Sequence, residues 1–200
     1  MFKNLILFLV SMGLGSISLA GNEGHGGGGF ICVKNQAISE LVDLWEASAI
    51  GGLEIKRTVE PIPIQAERAI NKLKLQNLNF GTLVEMEFKK LPSIMRKLSP
   101  GVALAKPHDL YNGFEKAGPC FLAGLALYVD DENVLYYDEK AIEFGANEDW
   151  APLPITDQAA LWVHEAVYKV LRDTQHVTDS RKARAIVGQL FGTKRLPKRY

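Results

Sequence analysis

The sequence predicts a single α+β domain, predominantly helical, with a small β-hairpin or sheet. Three observations predict it. Apolar residues recur at helical spacing along most of the chain. Strand-forming runs are fewer and are grouped, chiefly in 121–137. The chain has 200 residues, 47% hydrophobic and 23% charged, an ordinary globular composition with enough length for one core.

The chain opens on Met1-Phe2-Lys3-Asn4, with one positive charge, and then on an apolar run from Leu5 to Leu14. Ser18-Leu19-Ala20 follows, with small residues suited to a signal peptidase. This pattern predicts a signal peptide over 1–20, cut between Ala20 and Gly21. The apolar run is too short for a span of ~20 residues. No Cys follows the cut, so no lipid anchor is expected there. The expected location is periplasmic or secreted. Lys+Arg and Asp+Glu balance at 23 each, and loss of Lys3 tips the mature chain one charge towards acid. Bulk charge therefore points to neither a nucleic-acid nor a membrane partner.

Residues 21–29 read GNEGHGGGG. Glycine loses the most backbone entropy on ordering, so a flexible lead-in is expected, with His25 inside it. Phe30 to Val33 reads as a strand. Ile38, Leu41, Val42, Trp45 and Ala49 lie at helical spacing, with Asn35 as N-cap and Gly51-Gly52 as stop. Glu60-Pro-Ile-Pro reads as a loop. Helices follow over Ala66–Leu78 and Leu83–Leu98, the second kinked or split at Pro92. Gly101 to Pro119 reads as loop and holds His108 and Asp109. Phe121–Val129 and Val134–Tyr137 form a hairpin around Asp130–Asn133. Asn147 to Pro154 is a loop. Thr156 caps a long helix reaching about Asp173, with Asp157 at its positive end. A last helix spans Ser180 to Phe191. The globular domain is thus expected over 30–193 and a basic tail over 194–200.

Two cysteines, Cys32 and Cys120, remain after the cut. In an oxidising compartment they can make one bridge, which closes a loop worth roughly 4 kcal/mol in the chain-entropy model. Neither has a second cysteine at zinc-type spacing.

The long helix carries the one constellation with chemical content, TDQAALWVHEAVYKVLRD. Ala160, Val163, Val167, Val170 and Leu171 share an apolar face. His164, Tyr168 and Arg172 form a line beside it, with Glu165 adjacent and in reach of Lys169. A hairpin strand followed by a capped helix with Ala-Ala-Leu-x-x-His-Glu resembles the active-site helix of zincin metallopeptidases, the gluzincin kind most closely. The resemblance implies zinc, with His164 as ligand and Glu165 as the base that activates water. Tyr168 stands where those enzymes carry a second histidine, and no Glu follows Glu165. A metal site here would need Tyr168 ionised from a pKa of ~10. It would also need a remote ligand such as His25, His108 or His176, with Arg172 in support. The structural alternative has His164 and Glu165 buried and satisfied by each other, Tyr168, Arg172 or a loop.

The whole chain also resembles a group of uncharacterised exported proteins of Gram-negative bacteria, predatory bacteria among them. The likeness rests on the Gly-rich start, Cys32, Cys120, the His-Glu-Ala-x-Tyr segment and SRKARAIVGQLF. It implies export and assigns no activity. From Arg181 on, Arg181, Lys182, Arg184, Lys194, Arg195, Lys198 and Arg199 face no acidic residue in sequence. They offer contact to an envelope protein, peptidoglycan or another anionic surface. The expected function is a non-catalytic binding or structural envelope protein on a degenerate zincin-like scaffold. The alternative is an atypical metallohydrolase using His164 and Glu165 with Zn.

Overall fold

Around one buried helix, α4 (Ile155–Gln175), the other elements form a shell. The computed structural model describes residues 26–99, 102–107, 109–110, 118–144 and 149–194. The elements are β1 (Gly28–Cys32), β2 (Glu40–Leu41), α1 (Val42–Trp45), a π-helical turn (Glu46–Ile50) and β3 (Leu53–Ile55). They continue with α2 (Ile62–Gln76), α3 (Leu78–Ile94), β4 (Met95–Lys97), β5 (Cys120–Gly124), β6 (Ala126–Val129) and β7 (Val134–Tyr137). A second π-helical turn (Lys140–Phe144) precedes α4, and α5 (Arg181–Phe191) leads into β8 (Gly192–Lys194). This is the α+β class expected. Among the described residues no helix is long and apolar enough to cross a membrane.

The strands make three small sheets, ordered β2-β1-β5, β3-β8 and β4-β7-β6. All pairs are antiparallel except β4 with β7. The hairpin at Asp130–Asn133 is present, with Asn133 at φ 51° and its side chain accepting from the Tyr128 hydroxyl (2.5 Å). The expected single strand 121–129 is instead two. Leu125 breaks it, because the amides of Leu125 and Ala126 both donate to Gly27 O, which diverts the chain from one sheet to the next.

The lead-in expectation fails for its last four residues. Gly26 to Gly29 are buried, and β1 starts within them. A Cβ on Gly27 would sit 2.2 Å from Leu161 Cδ1, and one on Gly26 would sit 1.9 Å from the Ala126 carbonyl oxygen. Glycine is there because backbone packs directly on helix and strand, not for its flexibility. Residues 21–25, with His25, lie outside the described residues.

The helix expected over 36–49 shrinks to α1 and the π turn. Glu40 and Leu41 pair with Phe30 and Gly29 as β2, Asn35 is left-handed (φ 65°), and Ile38 is exposed. Sheet pairing overrides the helical spacing here. The Glu60-Pro-Ile-Pro segment is a helix start, with Pro61 as N-cap of α2 and Pro63 in its first turn, where a missing N–H has no intrahelical partner to lose. The α3 helix begins earlier, at Leu78. Asn77 caps it by accepting from the Phe80 amide. It runs past Pro92 and ends at Ile94, so the proline marks its last turn and does not split it. Thr156 is likewise no cap. Pro154 holds that position, while Thr156 exchanges hydrogen bonds with the Thr58 backbone and Asp157 is buried against Arg57 and the Leu41 amide.

Cys32 and Cys120 are bridged and stand directly opposite each other on β1 and β5, with Cα atoms 4.0 Å apart. The bridge ties β1 in place, and Cys32 is fully buried beside Phe30, Val42 and Leu122. Replacing both cysteines by Ala should lower stability by about 4 kcal/mol, read as a fall in the urea midpoint, with m rising as the unfolded chain loses its cross-link. An unchanged midpoint would show that strand pairing alone holds β1.

Candidate functional site

The line His164, Tyr168, Arg172 lies on α4 as its spacing requires, but it faces protein and not a cleft. His164 and Glu165 are 0% and 1% exposed, and Tyr168 is 1% exposed. His164 Nδ1 pairs with Asp43 Oδ2 at 2.7 Å, both side chains fully buried. Asp43 comes from α1, which β2 turns inward against α4. Glu165 Oε1 accepts the Gly27 amide at 2.6 Å. The glycine run is thus the loop that satisfies Glu165, and it can approach only because it has no side chains. Lys169 does not reach Glu165; it pairs with Asp173. Arg172 pairs with Asp130 of the hairpin turn, and its guanidinium lies 5.6 Å from the Tyr168 ring centre.

A second network backs the first. Arg184, read from sequence as part of a basic surface, is buried. Its guanidinium donates to Glu46 Oε2 (2.9 Å), Asp109 Oδ1 (2.8 Å) and Ser180 Oγ (2.6 Å). Asp109 Oδ2 also accepts the Ser180 amide and hydroxyl, which fixes the start of α5. Arg184 is therefore a neutralised clamp between α5, the π turn and the 109–110 segment, and cannot serve an anionic partner. Arg181 does stay exposed. Lys194 contributes its backbone to β8 and so is not part of a tail; Arg195, Lys198 and Arg199 lie outside the described residues.

Electrostatics follow from burial. Burial alone would lower the His164 pKa, but the charge of Asp43 and the hydrogen bond to it outweigh that, so the imidazolium is favoured. Burial pushes Glu165 up, against the pull of His164 and the Gly27 amide. Burial also pushes Tyr168 up to about 12, only partly opposed by Arg172. A group whose folded pKa is raised stabilises the fold fully below its unfolded pKa. It loses that contribution as pH rises through the folded pKa. Both His164 and Glu165 thus make the fold weaken as pH climbs from mildly acidic to alkaline. Glu165→Gln keeps an acceptor for Gly27 and removes one of the two groups. It should match wild type in melting temperature near pH 5 and exceed it near pH 9. Parallel pH profiles for the two proteins would contradict the assignment.

Among the described residues five buried side-chain atoms lack a partner: Asp43 Oδ1, His164 Nε2, Glu165 Oε2, Tyr168 Oη and Arg172 Nη1. All belong to this centre. His164 has the orientation of a metal-binding histidine, with a carboxylate on Nδ1 and Nε2 unpartnered. The rest of the set does not fit a resident zinc ion. Among the described residues no group of three or more His, Cys, Asp or Glu is placed to hold a metal. Tyr168 is held further from ionisation than a free phenol. His176 caps the C-terminal end of α4, about 18 Å along the helix from His164. His25 and His108 lie outside the described residues.

Beside this centre opens a cavity of about 810 Å³, within the usual size for a ligand pocket. Asp43 and Arg184 belong to both. Its walls are the π turn (Glu46, Ala47, Ile50), Leu53 of β3 and one stripe of α5. Sequence reasoning missed Gly27, Asp43 and Glu46, and the pairing of Asp109 with Ser180 and Arg184. Their partners are distant in the chain, 121 positions apart for Asp43 and His164, and no local pattern marks them. No protein-family model, no curated protein and no solved structure matches this chain.

Proposed function

We propose that this chain is an exported, non-catalytic binding protein of the cell envelope or its surroundings. One observation carries the reading. His164 and Glu165, the only pair with a hydrolase pattern in the sequence, are fully buried and tied to Asp43 and the Gly27 amide. A substrate bond cannot reach side chains with no exposed surface. The open concavity lies one layer away, between the π turn and α5. Export is supported by the leader-like first twenty residues and by the Cys32–Cys120 bridge, which suits an oxidising compartment. The test is hydrolysis of casein and of peptidoglycan by the purified mature protein. None is expected, and Glu165→Gln should change nothing. Hydrolysis abolished by Glu165→Gln would overturn the reading.

The atypical metallohydrolase has one observation in its favour, the Asp43–His164 pair with its unpartnered Nε2 amid five such atoms. Elemental analysis of the purified protein separates the two. Stoichiometric zinc lost in His164→Ala supports the hydrolase, and metal-free protein insensitive to chelator supports binding alone.

A further inference from the structure

We propose that the outer face of α3 is a contact between two copies of this chain, paired antiparallel about a two-fold axis at Thr82. The inference goes beyond the binding reading above and concerns a different face of the molecule.

Four of the large apolar residues that the fold leaves exposed cluster at the α2–α3 corner: Leu75 at 90%, Leu78 at 67%, Met86 at 52% and Leu83 at 41%. Helix α3 is therefore apolar on two faces. Val84 and Leu91 are buried inward, with Phe80 and Phe88 packed beside them. Leu78, Asn79, Thr82, Leu83 and Met86 share the other face, an arc of roughly 140° at ~100° per residue. A helix apolar all round belongs in a buried position, and an exposed apolar patch inside a polar rim marks an interaction site. The corner is also rigid. A Cβ on Gly81 would lie 2.7 Å from the Lys74 backbone nitrogen, so α2 and α3 touch through backbone there. Docking on this corner has little left to order.

Charge identifies the occupant as a second copy. No charged residue lies in the arc from Leu78 to Met86. The charges that border it are closed on one another: Glu85 pairs with Lys74 (2.5 Å) and Lys89 (3.0 Å), and Glu87 with Lys90 (2.6 Å). The face thus selects neither an acidic nor a basic partner. Across a two-fold axis, residues near the axis meet their own copies. Like charges would repel there, whereas leucine packs on leucine and the Asn79 amide can both donate and accept. Thr82 suits the axis itself. It is small, and its hydroxyl already donates to Leu78 O at 2.8 Å, so close approach strands no polar group. With Thr82 on Thr82, Leu78 of each copy lies opposite Met86 of the other, four residues or ~6 Å to either side. Beside Leu78, bordered by Asn77 and Asn79, opens a hollow of about 480 Å³ whose apolar walls are Phe80, Leu83, Leu171 and Ile186. Lys182 also lines it and is held on Gln175 Oε1. The hollow seats the adaptable Met86 side chain of the other copy. The four exposed side chains amount to about two and a half whole residues. That is small against the ~800 Å² per partner of a standard interface, and fits a reversible dimer rather than a permanent one.

The experiment is sedimentation equilibrium of the purified mature protein from ~10 µM to ~1 mM, beside flotation with neutral phosphatidylcholine vesicles. A monomer–dimer equilibrium is expected, with no vesicle binding. Leu78→Gln should weaken the dimer roughly tenfold, since burial of that side chain is lost twice. Thr82→Arg and Thr82→Glu should each be monomeric, because like charges meet on the axis, and an equimolar mixture of the two should dimerise. Both positions are exposed, so circular dichroism of the variants should match wild type. A monomer at every concentration would overturn the inference. So would a dimer indifferent to Thr82→Arg, a mixture that stays monomeric, or monomeric protein that floats with the vesicles.

Discussion

Val167→Asp should leave the protein unfolded. Val167 is 0% exposed on α4, the helix against which α2, α3 and α5 all pack. Its neighbours on that face, Ala160, Val163, Val170 and Leu171, are all buried too. A carboxylate there would lose its hydration without a partner. Its alternative, a neutral acid in an apolar core, still loses the valine packing. The combined cost is comparable to the whole stability of a domain, about 5–15 kcal/mol. Circular dichroism and a thermal scan should show no cooperative transition. A variant that melts cooperatively within a few degrees of wild type would show that this face is not the core.

Gly27→Val should be nearly as damaging, although a glycine-rich sequence reads as dispensable. The new Cβ would start 2.2 Å from Leu161 Cδ1 and 3.0 Å from Glu165 Oε1. Either β1 withdraws or α4 shifts. Withdrawal removes the one protein hydrogen bond of Glu165, leaves a buried carboxyl unanswered, and breaks the Gly27 carbonyl contacts that turn the chain at Leu125. Overpacking and a lost charge-assisted bond together cost about 3–6 kcal/mol. The check is the denaturant midpoint of Gly27→Val beside that of Gly52→Ala. Gly52 has open space around its missing Cβ but a left-handed φ of 65°. It should cost only its backbone strain, about 1–2 kcal/mol. A Gly27 variant no worse than the Gly52 one would contradict the packing account.

The α4 face and the glycine run differ in how far the sequence reveals them. The α4 face was legible because five apolar residues repeat at one helical period and pack as that period implies. The hairpin and α5 were legible for similar local reasons, and the Cys32–Cys120 bridge because two cysteines in an oxidising compartment can pair only with each other. The glycine run was not, because composition records the freedom of glycine and not the absence of a Cβ that lets Gly27 touch α4. Asp43 was hidden for another reason. It stands among apolar residues at helical spacing, so nothing local distinguishes a buried carboxylate from a solvated one. The spacing itself misled, since Glu40 and Leu41 join β1 as a strand. Arg184 was misplaced because α5 is packed on two faces, by α4 and by α1, whereas an amphipathic pattern suggests one buried face only.

His164 therefore sits at the junction of what was legible and what was not. Its position on α4 was readable, and its partner was not. On the proposed reading, His164 and Asp43 hold the fold together and perform no reaction. The thermal melt of His164→Ala tests it most directly. Removing the imidazole leaves Asp43 as a buried charge without its counter-group. That loss costs about 3–5 kcal/mol, a fall in melting temperature on the order of 10 °C for a domain of this size. The account predicts that fall, relieved in part when Asp43→Ala is added. An unchanged melting temperature for His164→Ala would contradict it.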